Sequence, residues 1–148
     1  MSNVDCYELI FQDDQSNEQG EAVKYSPNPE HRNDNRRKSQ WTITEGEEIE
    51  CFRVAYDKGW RSGKNAWGLH HRQNAVTYLG RGEDRSIDLF IAKFKNDVPH
   101  NTWHGYPADY QRKSQDIPDA EILRDWVANN FLTKPKMRKI MASQPCRL

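Results

Sequence analysis

Alternating and clustered apolar positions predict strands in the first two thirds of the chain. Cys6–Phe11 alternates polar and apolar side chains, which is typical of a strand with one buried face. Residues 87–94 contain three consecutive apolar side chains, and this predicts a strand that is buried on both faces at the centre of a sheet. A turn at 97–101 follows, so residues 102–110 are predicted to return as the antiparallel partner, with Pro107 at an edge.

A polar tract and weaker strand patterns lie between these elements. Residues 12–40 predict a long polar loop, because turn-forming residues recur and apolar or aromatic side chains are few: Ala22, Val23 and Tyr25. Residues 48–56 place apolar side chains on alternate sides and are interpreted as a strand, led into by a short strand at 41–44. Residues 74–79 predict one further short strand.

The spacing of apolar residues changes to a helical one near the C-terminus. Residues 117–130 predict a helix, with Pro118 in its first turn and a stripe of apolar side chains at Ile122, Leu123, Trp126 and Val127. Residues 133–143 predict a second, shorter helix that Thr133 caps. The chain is therefore expected to form one α+β domain over residues 1–148, with a mainly antiparallel sheet of four to six strands and the helical pair 117–143 packed on it.

Composition narrows the class of protein without identifying an activity. The chain has 148 residues, enough for about one domain, and 35% of them are hydrophobic. It lacks an apolar run near the roughly 20 residues that a membrane span needs. Three widely spaced cysteines form neither a disulfide framework nor a paired metal or redox motif. We therefore expect a soluble cytoplasmic protein with reduced thiols, no membrane association, no cofactor and no metal.

Charge is balanced over the chain but separated along it. Residues 1–50 carry five Lys and Arg against twelve Asp and Glu, whereas residues 51–148 carry seventeen against ten. Such asymmetry indicates either an interaction surface or an attraction between the two halves within the fold.

A glycine- and tryptophan-rich stretch, residues 59–72, is the first candidate site. Gly59–Asn65 is not a nucleotide-hydrolysing phosphate loop, because the glycine spacing is one residue short and Asn65 replaces the hydroxyl residue that binds magnesium. Aromatic rings and cations together favour a surface that binds nucleic acid or a phosphorylated ligand. Its candidate residues are Trp60, Arg61, Lys64, Trp67 and Arg72. The alternative is that both tryptophans belong to the core.

The turn after residue 99 is the second candidate site. His104 is a candidate acid–base catalyst together with Tyr106 and with His70 or His71, because metal-free phosphodiester chemistry needs only such a pair around a phosphate. The alternative is that His104 and Tyr106 are half-buried sheet residues that bond a neighbouring loop.

The C-terminal helices offer a third candidate. A helix, a turn and a basic helix outline a helix-turn-helix, in which Lys136, Arg138 and Lys139 would approach nucleic-acid phosphates. A solvated basic face near the acidic half of the chain is the alternative.

These observations lead to a ranked set of functional hypotheses. The first is a non-catalytic protein-binding module, for example an immunity or inhibitor-type partner in a bacterial conflict system, whose acidic tract Glu45–Glu50 suits a basic protein partner. The second is nucleic-acid binding by residues 60–72 and the basic C-terminal helix. The third is a metal-independent phosphodiesterase or nuclease centred on His104.

Overall fold

The computed structural model describes residues 6–11 and 21–148, and these form an α+β fold around a mixed six-stranded sheet. The strands are β1 (Tyr7–Phe11), β2 (Glu21–Tyr25), β3 (Gln40–Trp41), β4 (Arg61–Ser62), β5 (Asn65–Gly68), β6 (His70–Arg72), β7 (Ala75–Thr77), β8 (Gly80–Arg81), β9 (Asp88–Leu89), β10 (Ile91–Asp97) and β11 (Thr102–Ala108). The helices are α1 (Glu45–Asp57), α2 (Ala120–Ala128) and α3 (Lys134–Met141), with 3₁₀ turns at Pro29–His31, Glu83–Arg85 and Ser114–Asp116.

The β10–β11 hairpin lies at the centre of the sheet, whose strand order is β1-β2-β11-β10-β5-β4. β10 pairs antiparallel with both β11 and β5, while β2 lies parallel to the start of β11. The predicted turn and the antiparallel return are confirmed. The predicted central strand is confirmed for residues 91–94 only, since Asp88–Leu89 pairs with β8 in a separate three-stranded sheet.

The interpretation of residues 48–56 as a strand is wrong, because they belong to helix α1. Thr44 begins the helix with a capping box, in which its hydroxyl accepts the Glu47 amide hydrogen while the Glu47 carboxylate accepts that of Thr44. The buried side chains of α1 recur at helical spacing: Glu48, Cys51, Phe52, Ala55 and Tyr56. Of the predicted lead-in strand, residues 41–44, only Trp41 lies in a sheet, as part of β3.

The central sheet has one apolar face and one polar face. On the apolar face, α1 places Phe52 with its ring centroid 5.3 Å from that of Phe94 and 5.5 Å from that of Trp103. Residues directly opposite each other on β10 and β11 share a face, so the other face carries the pairs Lys93–Tyr106 and Lys95–His104. Polar side chains therefore meet on the side of the sheet that α1 does not cover.

The predicted polar loop, residues 12–40, is structured in much of its described part. Residues 21–25 form β2 and pair with β1, and their Val23 and Tyr25 side chains are buried in the core. Residues 26–41 then run beside β11, where the Ser39 hydroxyl donates to the Pro107 carbonyl. Residues 12–20 of the predicted loop lie outside the described residues.

The two C-terminal helices are confirmed. The Thr133 hydroxyl accepts the Lys136 amide hydrogen at the start of α3, as its capping position predicts. The α2 stripe is buried at Ile122, Leu123 and Trp126. Across residues 6–11 and 21–148, none of the helices combines the length and apolar character required to cross a membrane.

Candidate functional site

The polar face of the sheet forms part of a cavity of about 200 Å³. The cavity lies between β10 and β11, the segment 31–39 and the turn 109–116. Its lining residues are mostly charged or hydrogen-bonding: His31, Arg37, Lys38, Ser39, Glu83, Lys95, Tyr106, Pro107, Asp109, Arg112, Lys113, Gln115 and Asp116.

His31 is held in this cavity in a defined orientation. Asn28 and Pro29 begin the 3₁₀ turn that carries it, with the Asn28 side chain accepting the Glu30 amide hydrogen. The His31 ring stacks on Tyr106, with centroids 5.4 Å apart, and its Nδ1 lies 2.8 Å from the Ser39 carbonyl oxygen. Burial lowers the pKa of His31, so the neutral imidazole is favoured near neutral pH.

Asp116 bonds to side chains and backbone of neighbouring elements beneath the cavity. Its Oδ1 accepts the Tyr106 hydroxyl at 2.7 Å, and its Oδ2 accepts the Asp109 amide hydrogen at 3.2 Å. Lys93 Nζ lies 3.6 Å from Oδ1 and donates to the Gln115 carbonyl. Asp116 and Lys93 are only 1% and 2% exposed, so this pair is a buried charge pair with its hydrogen bonds largely satisfied.

The titratable side chains below the cavity are shifted by their burial. Burial lowers the pKa of Lys93, although the nearby Asp116 carboxylate opposes this shift. Burial also raises the pKa of Tyr106, and the hydrogen bond to Asp116 acts in the same direction. Tyr106 therefore stays protonated, and its hydroxyl hydrogen is committed to Asp116.

Arg112 connects two acids at the edge of the cavity. Its Nη1 lies 2.9 Å from Glu83 Oε2, and its Nε lies 3.7 Å from Asp109 Oδ2. The Asp109 carboxylate is buried and neither of its oxygens accepts a hydrogen bond from the described residues. Arg112 is thus the cation that offsets this buried charge.

The remaining basic side chains give the cavity an excess of positive charge. Within the part of the chain that the structure describes, four of its lining cations make no ion pair with an acid: Arg37, Lys38, Lys95 and Lys113. Glu83 and Asp109 face Arg112, and Asp116 faces Lys93. An anion entering the cavity would therefore meet cations that are not held in an ion pair.

The four predicted catalytic residues do not form one cluster. Tyr106 lines the cavity, and His104 lies two residues away on the same face of β11, where its Nδ1 is 2.8 Å from the Ser26 carbonyl oxygen. His70 instead lies 3.4 Å from Glu47 on α1, and His71 packs on Phe131. The histidine that meets Tyr106 is His31, which the sequence analysis did not select.

The predicted phosphate-binding stretch, residues 60–72, is spread over the core and the surface. Trp60 and Trp67 are buried, and their indole N–H groups donate to Asp125 and to the Asp116 carbonyl, so neither ring is an exposed stacking surface. The core alternative therefore holds for both. Arg61 lies over the Tyr56 ring, Arg72 is 3.6 Å from Glu47, and Lys64 is exposed.

Two further predicted surfaces, the basic C-terminal residues and the acidic tract, lie on helices α3 and α1. Arg138 and Lys139 are exposed on α3 and Lys136 is partly buried, so nucleic-acid binding there stays a prediction. In the acidic tract Glu45–Glu50, each carboxylate has a partner within the chain: Tyr7 for Glu45, Thr44 for Glu47, Arg32 and Tyr25 for Glu48, and Arg53 for Glu50. The carboxylates of this tract are therefore already hydrogen-bonded within the chain.

Among the described residues, no three His, Cys, Asp or Glu side chains come together to hold a metal ion. Comparisons of the chain with protein-family models, with curated proteins and with solved structures found no match.

Proposed function

We propose that this protein binds a small oxyanion, of the phosphoryl class, in the cavity beside His31 and Tyr106. The observation that carries the proposal is the set of four lining cations that make no ion pair with an acid in the described residues: Arg37, Lys38, Lys95 and Lys113. Ammonium and guanidinium groups are the side chains that recognise phosphate oxygens, by charge and by directed hydrogen bonds.

The size and depth of the cavity support a small ligand. Its volume of about 200 Å³ is below the roughly 300–1,000 Å³ that is typical of drug-sized sites. Its wall includes His31, a residue that is 8% exposed, so a bound anion would lie against a partly desolvated surface. Charge–charge attraction is stronger at such a surface than between fully hydrated groups.

Calorimetric titration with inorganic phosphate tests this function. Wild-type protein is expected to bind phosphate with an affinity that falls as sodium chloride is raised, because salt screens the attraction. The double substitution Lys38→Gln and Lys113→Gln should weaken binding by about tenfold or more, since each lost contact is a charge-assisted hydrogen bond.

A matched control uses two exposed lysines of α3 that do not line the cavity. Lys134→Gln with Lys139→Gln removes the same amount of charge, so it should leave phosphate affinity within about twofold. Equal losses in both double variants would mean that phosphate responds only to net charge. Absence of phosphate binding by the wild type at low salt would refute the function.

The protein-binding hypothesis stays a prediction. Recovery of a stable complex in a pull-down with candidate basic proteins would support it. The nucleic-acid hypothesis likewise stays a prediction, and a gel shift with RNA and DNA at low salt tests it.

A further inference from the structure

We propose that Nε2 of His31 makes the cavity selective for an oxyanion that still carries a proton, namely hydrogen phosphate, over a fully ionised anion such as sulfate. This inference rests on the proposed oxyanion-binding function. It goes further because it names the chemical property by which the ligand is recognised and the atom that recognises it.

The tautomer of His31 is determined by its neighbour. The Ser39 carbonyl oxygen can only accept a hydrogen bond, and it lies 2.8 Å from Nδ1, so Nδ1 must carry the proton. In the neutral ring, Nε2 then has a lone pair and acts as an acceptor. Nε2 makes no hydrogen bond with the described residues, and His31 lines the cavity.

The charged groups around His31 favour the neutral ring. Burial is the main cause of its lowered pKa, and the charges of Lys38 and Lys113 act in the same direction. The Ser39 carbonyl and the Glu30 carboxylate oppose the shift. The same two lysines that attract an anion therefore help to keep Nε2 unprotonated.

Nε2 differs in kind from the cations and the phenol that an anion would meet, and the acceptor oxygens of Asp109 are buried beside Arg112. Lys38, Lys95 and Lys113 are hydrogen-bond donors only. Tyr106 donates its hydroxyl hydrogen to Asp116 and is committed there. An anion held by these cations against His31 would therefore meet an acceptor at Nε2, and among these anions one that carries a P–O–H group can donate to it directly.

Proton content separates otherwise similar anions. Inorganic phosphate keeps at least one P–O–H hydrogen throughout the neutral range, whereas sulfate keeps none. A phosphate monoester loses its last hydrogen with a pKa near 6, so at about pH 8 it resembles sulfate in this respect. Sulfate or a monoester dianion would place an oxygen lone pair against the Nε2 lone pair, which leaves a desolvated acceptor unpaired.

Competition titrations at constant ionic strength test the inference with three probes: inorganic phosphate, sulfate and methyl phosphate. At pH 8, the wild type should bind phosphate about tenfold or more tightly than either of the other two, which is the effect of one unmet buried hydrogen bond. At pH 5.5, the advantage of phosphate over methyl phosphate should shrink, because methyl phosphate then also carries a P–O–H hydrogen and the two anions have the same charge.

The substitution His31→Asn isolates the acceptor. The introduced side-chain amide can still donate to the Ser39 carbonyl, but it presents nothing at the position of Nε2, so the preference for phosphate over sulfate should fall several-fold. His104→Gln is the control, because His104 also donates from Nδ1 to a main-chain carbonyl but does not line the cavity. It should leave the preference unchanged.

The outcomes separate this inference from the proposed function. Equal binding of phosphate and sulfate by the wild type at pH 8 would overturn the inference and leave oxyanion binding intact. Absence of binding by all three anions would overturn both. If His31→Asn does not fold, as judged by circular dichroism, the wild-type ratio of phosphate to methyl phosphate affinity at pH 8 and pH 5.5 decides: an unchanged ratio overturns the inference.

Discussion

The imidazole ring of His31 stacks on the phenol ring of Tyr106, with the two planes inclined by 20°. The two residues are far apart in the sequence but adjacent in the fold, since His31 lies in the segment beside β11 and Tyr106 lies on β11 itself. Tyr106 is bonded in turn to Asp116, which is paired with Lys93 on β10. Tyr106 therefore links the His31 ring to the buried charge pair at the centre of the sheet.

Substitution of Tyr106 by phenylalanine separates the two roles of that side chain. Tyr106→Phe keeps a ring for His31 to stack on but removes the hydroxyl that donates to the buried Asp116 carboxylate. We expect the free energy of unfolding to fall by about 1.5–3 kcal/mol, as for other hydrogen bonds to charged groups. Urea denaturation followed by circular dichroism measures this change.

Phosphate affinity distinguishes this substitution from a larger truncation. Tyr106→Phe should bind phosphate nearly as the wild type does, because the stacked ring persists. Tyr106→Ala should lose both stability and phosphate binding. Equal phosphate affinity in the alanine variant would show that the position of His31 does not depend on the stacking.

The stability of the protein should depend on pH through His31. Because burial lowers the folded-state pKa of His31 below its usual value near 6.5, its contribution is complete above that pH. The contribution is lost as the pH falls through the folded-state pKa. The free energy of unfolding should therefore decrease from pH 7.5 to pH 5, and His31→Asn should make this decrease smaller.

Two other histidines shape the remaining pH dependence. Burial lowers the pKa of His70 and of His71, so both contribute with the same sign as His31. The informative quantity is thus the difference between the wild type and His31→Asn at each pH, obtained from urea curves. A difference that does not change between pH 7.5 and pH 5 would contradict the assignment of a neutral His31.

Two glutamates on α1 should differ widely in their effect on stability. Glu48 is fully buried and accepts from Arg32 and Tyr25, so Glu48→Ala leaves a partly buried guanidinium and a buried phenol without their acceptor. We expect a loss of about 3–5 kcal/mol. Glu50→Ala, its control on the exposed side of the same helix, should cost less than about 1 kcal/mol. Similar losses in the two thermal or urea melts would contradict this account.

Two glycine substitutions should change stability in opposite directions. A Cβ atom at Gly105 would lie 2.4 Å from Phe94 Cδ1 and 2.6 Å from Tyr25 Oη, so Gly105→Ala should destabilise the sheet by about 1–3 kcal/mol. A Cβ at Gly46 on α1 meets nothing closer than Thr44 Oγ1 at 3.9 Å, so Gly46→Ala should stabilise the protein by up to about 1 kcal/mol. Differential scanning calorimetry measures both, and a stable Gly105→Ala would contradict the packing described for this face.

Much of the fold could be predicted from local patterns. The β10–β11 hairpin and the two C-terminal helices follow from turn residues, a capping threonine and periodic apolar positions. Residues 48–56 are predicted as a strand because their apolar side chains can be placed on alternate sides. The Thr44–Glu47 capping box and the helical spacing of Cys51 and Ala55 indicate helix α1 instead. The charged residue Glu48 also occupies a buried position of this helix, so it interrupts the apolar stripe in the sequence.

The candidate site could be predicted only in part. The sequence predicts Tyr106 as a site residue but does not predict His31. The burial of His31 results from residues 26–41 lying against β11, and no pattern in the neighbouring sequence indicates that contact. Lys93 lies within a largely apolar run. The sequence around it does not indicate that its ammonium group pairs with Asp116, which lies in a distant turn. Such partners are determined by tertiary contacts and not by spacing along the chain.

The carbonyl groups that orient the histidines have a consequence for how this surface tolerates mutation. His31 and His104 both donate from Nδ1 to main-chain oxygens, those of Ser39 and Ser26. Every amino acid supplies such an oxygen, so the tautomer of each ring is insensitive to the identity of the side chain at 39 or 26 while the backbone keeps its path. In a saturation mutagenesis screen for ligand binding, intolerance should therefore concentrate at position 31 itself.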